Sequence, residues 1–412
     1  MATHASAGLA RNVRLYPWYT ALFNALFWMP VFFLFFGAYL TLDRVLQLEA
    51  IYYGAVVLLE VPSGYFSDRV GRRATLLVSA ASVVAAYGLF FAGGGFAAFA
   101  IAQALLAAGI AFNSGTDTAL HFDSLAALGR ADEYAWREAR AARALFVAGA
   151  LAAVAGGAVG VVQLRYAYGL SLLAALGTLA IVLAFREPRS DASDGSRAAA
   201  AGFLAQVRAC LAYLRQPALA WLFGFAVLMI VLMHLPYEFY QPYLELLWGR
   251  GMSGLPVPLL AGLHMAAAMM VGAWVAGRSV RVRDRWGTAG ALLASGVINV
   301  AIIAAMGAAL HPAIALLTVL RSVPRALSTA PLNAAVTPRI ARSQRATYLS
   351  IQSLAGRLAF SVTLIALSWI AGSGAATDWP ALARMLWASA VVGVVGLGVL
   401  GVAARRGRIS PA

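Results

Sequence analysis

The most constraining feature of this 412-residue sequence is a series of twelve apolar runs, each long enough to cross a lipid bilayer. A membrane-spanning helix needs about 20 predominantly apolar residues, and a helix bonds its own backbone polar groups, which lipid cannot do. We therefore predict an all-α membrane protein with twelve transmembrane helices. The predicted spans lie at residues 17–40, 48–67, 74–93, 96–127, 138–162, 166–185, 217–247, 256–277, 288–308, 312–336, 345–371 and 380–403.

The composition excludes several other classes of protein. Hydrophobic residues make up 62% of the chain and charged residues only 11%, whereas soluble domains carry about 25% charged residues. The net charge of +15 sits in short loops between apolar runs, which argues against a nucleic-acid partner. A single cysteine, Cys210, leaves no disulfide framework and no cysteine-based metal site. An ordinary soluble enzyme, a disordered chain and a nucleic-acid binder are therefore excluded.

The distribution of arginine predicts the orientation in the membrane. All 31 basic residues are arginine, which with the abundant Ala and Gly suggests a GC-rich bacterial genome. If the N-terminus is cytoplasmic, only Arg44, Arg165, Arg250 and Arg384 fall in outer loops. Cytoplasmic loops carry the excess of basic residues in membrane proteins. We expect a multi-pass protein of the bacterial inner (cytoplasmic) membrane with both termini inside, and a first helix that is retained, because it lacks a cleavage site.

A polar interval after the sixth span divides the chain. Residues 186–197 read REPRSDASDGSR and predict a flexible linker, whereas 198–215 has the spacing of an amphipathic helix on the membrane surface. We predict a six-helix bundle at 1–185, a cytoplasmic linker with that helix at 186–216, and a second six-helix bundle at 217–412. A faint internal repeat supports this division, since residues 68–71 resemble 284–287 and residues 142–146 resemble 356–360.

The loop between the second and third spans carries a recognisable motif, GYFSDRVGRR at residues 64–73. It resembles the signature loop of the major facilitator superfamily, with Phe66 and Ser67 departing from the usual Leu and Ala. The second half keeps Asp284, Arg285 and Gly287, but Val280 replaces the leading glycine. Together with twelve spans and the central linker, the resemblance covers essentially the whole chain. It implies the fold of that superfamily, two six-helix bundles, and secondary active transport.

The resemblance also implies a conformational latch around this loop. We expect Gly64 to let the second helix approach a neighbour closely, Gly71 to permit a tight turn, and Asp68 to pair with arginines. In relatives an acidic residue near Asp123 pairs with the loop arginines. The alternative is that the arginines only set topology. The predicted latch residues are Gly64, Asp68, Arg69, Gly71, Arg72, Arg73, Asp123, Arg143, Asp284 and Arg285.

Polar side chains inside the spans are the candidates for a substrate and proton pathway. A charge at mid-bilayer costs roughly 2.5–3.5 kcal/mol on insertion scales, so such groups should face partners or water. Several recur at i and i+4, and the resemblance implies that the first, fourth, seventh and tenth spans, which carry most of them, line a central cavity. The candidates are Asn24, Trp28, Glu60, Asn113, Asp117, His121, His234, Glu238, Arg321 and Arg325.

Each candidate has a structural alternative. Glu238 can form a structural pair with His234 or Arg325. His121 and His234 can each serve only to hydrogen-bond a backbone carbonyl, and Trp28 can serve only in packing. Glu60 is either a protonation site or a partner of Arg143 or Arg357, and Arg357 is expected to be a structural counter-ion. His264 is a weaker candidate.

We expect proton-coupled alternating access, with Glu238 first among the proton carriers and Asp117 and Glu60 behind it. The fifth span carries Gly149, Gly156, Gly157 and Gly160 but lacks the proline typical of antiporters. We expect efflux by antiport of small amphiphilic drugs or metabolites. The alternative is a proton symporter that imports an organic anion or zwitterion, favoured if Arg321 and Arg325 lack acidic partners.

No hydrolase, metalloprotease or phosphate-loop motif occurs, so we expect no enzymatic activity and no metal or cofactor, the proton gradient being the energy source. The expected partners are a small-molecule substrate, protons and the lipid bilayer, and the protein is expected to be a monomer.

Overall fold

The computed structural model describes residues 2–188, 207–249, 254–341, 344–374 and 377–406, and its regular structure there is entirely helical. Ten helices in that part of the chain are long and apolar enough to cross a membrane, and Val147–Val162 is a shorter apolar helix. The first predicted span adds a twelfth segment in two pieces. The prediction of an all-α membrane protein is therefore confirmed.

The chain forms two compact units. Unit 1 comprises Met1–Leu40, Ile51–Ser196 and Pro258–Leu263. Its helices, with α3 beginning in the other unit, are α1 (Ala2–Phe23), α2 (Phe32–Gly37), α3 (Leu42–Val70), α4 (Arg72–Ala92), α5 (Phe96–Asn113), α6 (Thr116–Ala127), α7 (Tyr134–Val162) and α8 (Leu164–Ala184).

Unit 2 comprises Thr41–Ala50, Arg197–Val257 and His264–Ala412. The start of α3 is fixed here, because Ser361 donates to the carbonyl of Ala50 at 2.9 Å and the Asp43 carboxylate accepts from the Gly374 amide. The remaining helices are α9 (207–212), α10 (Pro217–Gly249), α11 (Val257–Ala276), α12 (Ser279–Ala308), α13 (Pro312–Leu317), α14 (Val323–Val336), α15 (Arg345–Ala371) and α16 (Trp379–Arg406).

Glycines let helices of unit 1 approach one another at backbone distance. A Cβ on Gly157 of α7 would lie 2.6 Å from the carbonyl oxygen of Pro258, at the start of α11. A Cβ on Gly262 would lie 2.5 Å from the carbonyl oxygen of Ala153. The fifth span therefore packs closely against the start of the eighth, and the contact depends on a glycine from each helix.

The first predicted span, 17–40, is not one continuous helix. Helix α1 ends at Phe23, and residues 24–31 are irregular before α2 begins. Pro30 has no amide hydrogen to donate and disfavours helical geometry in the residue before it. The carbonyl of Phe27 in this break lies against Gly156 so closely that a Cβ there would overlap it.

Two further spans are interrupted near their polar residues. The span at 96–127 breaks at Ser114 and Gly115, where Gly115 has φ of 73°, so α5 and α6 are separate helices. The span at 312–336 passes through a 3-10 segment, Thr318–Ser322, between α13 and α14. Pro324, the second residue of α14, cannot donate a backbone hydrogen bond to the preceding turn, which accounts for the change of helix type.

Only the ends of the predicted linker are described. Arg186 is fixed at its start, since its amide donates to Asn12 Oδ1 at 2.8 Å and its carbonyl accepts from Asn12 Nδ2 at 2.7 Å. At its far end, the hydroxyl of Tyr213 donates to Gln344 at 2.8 Å. Residues 189–206, with the first half of the predicted amphipathic helix, lie outside the described residues. The division at 186–216 therefore stays a prediction.

Candidate functional site

The signature loop forms a capped turn between α3 and α4. Gly71 has φ of 111°, a backbone conformation that L side chains rarely adopt. The amides of Arg72 and Arg73 donate to the two carboxylate oxygens of Glu187, each at 2.7 Å. Two unpaired amides at a helix N-terminus favour an anion, so Glu187 stabilises the start of α4. A Cβ on Gly71 would lie 2.9 Å from the carboxyl group of Glu187.

The loop arginines make separate contacts. Arg72 donates to the Ser67 hydroxyl at 2.9 Å and forms an ion pair with Asp123 of α6, Nε to Oδ2, at 3.7 Å. Arg73 donates to the carbonyl of Leu183 at 3.1 Å, and Arg69 lies over the ring of Tyr65, 4.6 Å from its centroid. Asp123 is thus placed beside the loop, as the resemblance implies.

The remaining latch candidates are placed unequally. The expectation for Gly64 is wrong, because nothing described lies within 4 Å of a Cβ there and the residue is exposed. The side chains of Asp68 and Arg143 lie outside the described residues. In the second half Asp284 pairs with its neighbour Arg283 at 2.7 Å, and Arg285 is exposed.

The two connectors share one backbone feature. Gly287 interrupts α12 with φ of 71°, at the position that corresponds to Gly71 in the internal repeat. Each half therefore starts its third transmembrane segment after a glycine with positive φ.

A buried polar group, here called the His121 cluster, joins Tyr16, Asp117, His121 and Glu138 in unit 1. His121 is only 1% exposed, and its Nδ1 lies 3.0 Å from Glu138 Oε2. Tyr16 of α1 donates to Glu138 Oε1 at 3.3 Å, and its ring stacks on the imidazole with centroids 3.9 Å apart. The charge of Asp117 acts on Tyr16 and Glu138. The cluster brings two carboxylates and one imidazole together.

The helix break changes the predicted face of the fourth span. Asp117 and His121 share α6, but Asn113 ends α5, where it accepts a hydrogen bond from Tyr19. Asn24 lies just beyond α1 and donates to the carbonyl of Thr20 at 2.8 Å. The helix predicted through Asn113, Asp117 and His121 is therefore not continuous, because Gly115 turns the chain, yet the Asn113 side chain still hydrogen-bonds the Asp117 carboxylate.

Trp28 packs within unit 1. Its indole donates to the Tyr87 hydroxyl at 2.9 Å and stacks on Tyr168 with centroids 6.0 Å apart. Trp28 therefore packs against its neighbours, as the structural alternative for this residue predicts. Glu60 is half-buried in α3, and only its backbone carbonyl, which accepts from Ser63, has a described hydrogen bond within unit 1.

A second group, the Arg321 cluster, comprises Tyr240, His264, Thr318 and Arg321 in unit 2. Arg321 is 7% exposed and donates to His264 Nδ1 at 2.7 Å and to the carbonyl of Thr318 at 3.3 Å. The guanidinium also lies over Tyr240, 4.3 Å from its centroid, and His264 stacks on the same ring. Arginine only donates, so Nδ1 of His264 carries a lone pair and the imidazole is neutral. Its proton sits on Nε2, 3.1 Å from the carbonyl of Ala315.

The contacts of Arg321 include no carboxylate among the residues that the structure describes. Arg325, predicted to share its face, is instead exposed at the start of α14. The two arginines differ because the 3-10 segment, with three residues per turn, rotates one relative to the other. The charges of Arg325 and Arg357 act on half-buried His234, whose Nδ1 lies 2.6 Å from the carbonyl of Ile230. Glu238 is fully buried.

Two residues of these sites, Glu138 and Glu187, were missed by sequence reasoning, and a third, His264, was ranked too low. Glu138 lies among arginines at the start of the fifth span, where a solvated loop is the simpler interpretation. Glu187 opens a polar linker, and its capping role depends on a contact 114 or 115 residues away in sequence. His264 stands alone in its span, so no i and i+4 partner marks it.

Comparisons with solved structures identify the fold. A point mutant of the nucleoside transporter NupG superposes with a TM-score of 0.73 at 13% identity, covering 97% of this chain and 98% of that chain. The peptide transporter POT in complex with sulfate gives 0.71 at 14% identity, covering 98% and 96%. A bacterial homologue of the lysosomal transporter Spinster, inward-facing and unoccupied, gives 0.68 at 16% identity, covering 99% of each chain.

No protein-family profile matches the sequence, and no curated protein is significantly similar to it. The assignment of the fold therefore rests on the structural likeness alone. The chain has the fold of the major facilitator superfamily, as the signature loop and the twelve spans predicted.

Proposed function

We propose that this protein is a secondary active transporter that couples proton movement to the movement of a small organic molecule bearing a carboxylate or another anionic group. The observation that carries the choice of substrate is the buried guanidinium of Arg321. The fold supports transport in general, since the similar structures are transporters of nucleosides, of peptides and of the Spinster type. We place the protein as a monomer in the bacterial inner membrane with both termini cytoplasmic.

Arg321 supports an anionic substrate through what surrounds it. Taking a cation out of water costs on the order of several kcal/mol unless an opposite charge and hydrogen bonds compensate the loss of hydration. The described contacts of Arg321 are a neutral imidazole, a carbonyl and an aromatic face, which compensate only in part. A ligand carboxylate would complete the charge balance and match the planar donor array of the guanidinium.

The same observation favours import by proton symport over efflux. An anion that enters with one or more protons reduces the charge carried against the field, and Glu238, fully buried on α10, is a carboxylate within the same unit. The contact of Gly157 with the start of α11 supports the second candidate function, efflux by antiport, because such glycines are typical of antiporters in the resembled superfamily.

The test is flux in proteoliposomes with an imposed pH gradient. Radiolabelled carboxylates, zwitterions and organic cations are screened for movement in both directions through the wild-type protein, Arg321→Gln and Arg278→Gln. Arg278 is an exposed arginine of the same unit, and the described contacts of its side chain are with Trp274, so it provides a matched loss of charge. We expect anionic compounds to accumulate with the proton gradient and Arg321→Gln to reduce that flux at least about tenfold, or 1.4 kcal/mol.

Three results would contradict the proposal. Flux of cations only would contradict the anionic class, and flux only against the proton gradient would favour the antiport alternative. Equal flux through Arg321→Gln and Arg278→Gln would remove the role of the buried guanidinium.

A further inference from the structure

We propose that the His121–Glu138 pair of unit 1 binds the coupling proton. This inference rests on the proposed function and names the residues that would perform its proton step. It assigns a role to Glu138, which no motif marks, and it moves the proton step from Glu238 to a pair in the other unit. The argument rests on the geometry of the His121 cluster and on its place in α6.

The pair has the geometry of a proton site. The imidazole is 1% exposed and one of its ring nitrogens lies 3.0 Å from Glu138 Oε2. A half-buried carboxylate at hydrogen-bond distance stabilises an imidazolium, and a neutral imidazole in the same place donates Nδ1–H to it. Proton uptake therefore converts a neutral contact into an ion pair without any rearrangement of the ring. Histidine changes charge within the pH range that a cell gradient covers.

The groups that face the imidazole set its charge balance. Tyr16 of α1 covers one ring face and also donates to Glu138, and Tyr134 of α7 lies 5.7 Å from the ring, centroid to centroid. Asp117, one turn earlier on α6, acts on Tyr16 and on Glu138. Among the described side chains, Arg137 is the cation whose charge acts on His121.

Arg137 is already engaged elsewhere. It donates to Glu133 at 2.7 Å, and Glu133 also binds Arg130. These hydrogen bonds lower the pKa of Glu133 to about 2, so that carboxylate stays charged and retains Arg137 at any physiological pH. The imidazole thus faces the Glu138 carboxylate, and the described cation that acts on it, Arg137, is itself compensated by a second carboxylate, Glu133.

The short helix α6 offers a route from this pair to the signature loop. It is 12 residues long, and glycines with positive φ lie just before and just after it, Gly115 at 73° and Gly129 at 71°. Two residues beyond His121, the same helix presents Asp123 to Arg72 at 3.7 Å. A change of charge at His121 alters the attraction of α6 to α7 and is therefore carried by one rigid helix to the Arg72 ion pair.

The test measures proton binding in the full-length protein, without any substrate. The chain has five histidines, so a protein labelled with ¹⁵N-histidine in lipid nanodiscs gives few imidazole signals, and His121→Asn identifies the one from His121. We expect that signal to shift with pH, and Glu138→Gln to lower the pH midpoint of the shift by at least about one unit. Asp132→Asn, an exposed loss of one negative charge nearby, should leave the midpoint within about 0.3 units.

The second measurement uses whichever compound moves in the flux screen. Glu138→Gln should abolish pH-driven accumulation and retain exchange of the compound at equal pH, whereas Asp132→Asn should retain both. A His121 signal that does not titrate, or a midpoint unmoved by Glu138→Gln, overturns the assignment. So does accumulation that survives in Glu138→Gln, although the transporter proposal then stands. If no compound moves in any direction, the coupling role falls with the transporter proposal, and the titration still reports whether the pair binds a proton.

Discussion

At the scale of single residues, the two glycines of the signature loop have opposite physical roles. Gly71 adopts φ of 111° and ψ of 158° next to the Glu187 carboxylate, whereas Gly64 lies within α3 with open space where a Cβ would be. We expect Gly71→Ala to destabilise the protein by about 1–3 kcal/mol, because an L side chain is strained in that region. We expect Gly64→Ala to stabilise it by about 0.5–1 kcal/mol, because alanine has the better helix propensity.

Thermal unfolding of the purified protein in detergent, followed by loss of tertiary fluorescence, measures both changes. Gly71→Ala combined with Glu187→Ala separates strain from collision. The reference is Glu187→Ala alone, which lacks the carboxylate that stabilises the start of α4. If the Cβ contact at 2.9 Å caused the loss, Gly71→Ala would cost nothing further in that background; we expect the same further loss, since the backbone angle is unchanged. Equal effects of the two single variants would contradict the assignment of the turn to Gly71.

At the scale of residues, the sequence predicts the chemical character of a buried side chain better than it predicts the groups that the side chain contacts. Asp123 beside the loop arginines follows from a family resemblance and agrees with its ion pair to Arg72. Arg321 and Arg325 look equivalent at i and i+4, yet one is buried and the other exposed, because a 3-10 segment intervenes. Glu138 looks like a loop residue until α6 and α7 fold together and bring His121 to its carboxylate. Such contacts depend on packing between helices distant in sequence, which hydropathy does not encode.

At the scale of helices, the decisive contact in unit 1 is between α7 and the start of α11. Gly157 approaches the Pro258 carbonyl so closely that a Cβ would lie 2.6 Å from it, and the neighbouring contact is the backbone of Gly262. Backbone atoms cannot move aside as a flexible side chain can. We therefore expect Gly157→Ala to lower the free energy of unfolding by about 1–3 kcal/mol, the usual cost of overpacking.

Gly88→Ala in α4 is the matched control, because nothing lies within 4 Å of a Cβ there. It should leave stability unchanged or raise it slightly, as helix propensity predicts. Comparison of the two melting temperatures in the same detergent decides the matter. A Gly157→Ala protein as stable as Gly88→Ala would mean that α7 and α11 do not touch at backbone distance.

The helices themselves follow from hydropathy, whereas their interruptions do not. Long apolar runs predict transmembrane helices because backbone polar groups in lipid must be hydrogen-bonded within the protein. The prediction stays correct for a span whose helix is interrupted over only a few residues. The breaks at 24–31, 114–115 and 318–322 are short, so a hydropathy average over a window of about 19 residues passes over them. Pro30, Gly115 and Pro324 mark them only in retrospect, since other prolines, such as Pro62, lie within continuous helices.

At the scale of the whole molecule, the arginine pattern and the fold make one joint prediction about topology. Asp132 and Gln163 lie at the two ends of α7 and are both exposed. In the other unit Asp284 lies before the break at Gly287 in α12, Ala309 follows the end of that helix, and both are exposed. A single crossing by each helix must put the two members of each pair on opposite sides of the membrane. With both termini cytoplasmic, Gln163 and Ala309 face outward and Asp132 and Asp284 face inward.

Single cysteines at these four positions, introduced after the native Cys210 is replaced by Ser, test that topology in intact cells with a membrane-impermeant maleimide. We expect labelling at Gln163→Cys and Ala309→Cys, and labelling at Asp132→Cys and Asp284→Cys only after the cells are opened. The native Cys210 thiol is 1% exposed, so it should contribute little background labelling even before it is replaced. A uniformly reversed pattern would invert the orientation but keep the fold. A pattern reversed in one unit alone would put Asp132 and Asp284 on opposite sides of the membrane, which requires an odd number of crossings between them. That result would contradict two parallel six-helix halves joined by a cytoplasmic linker.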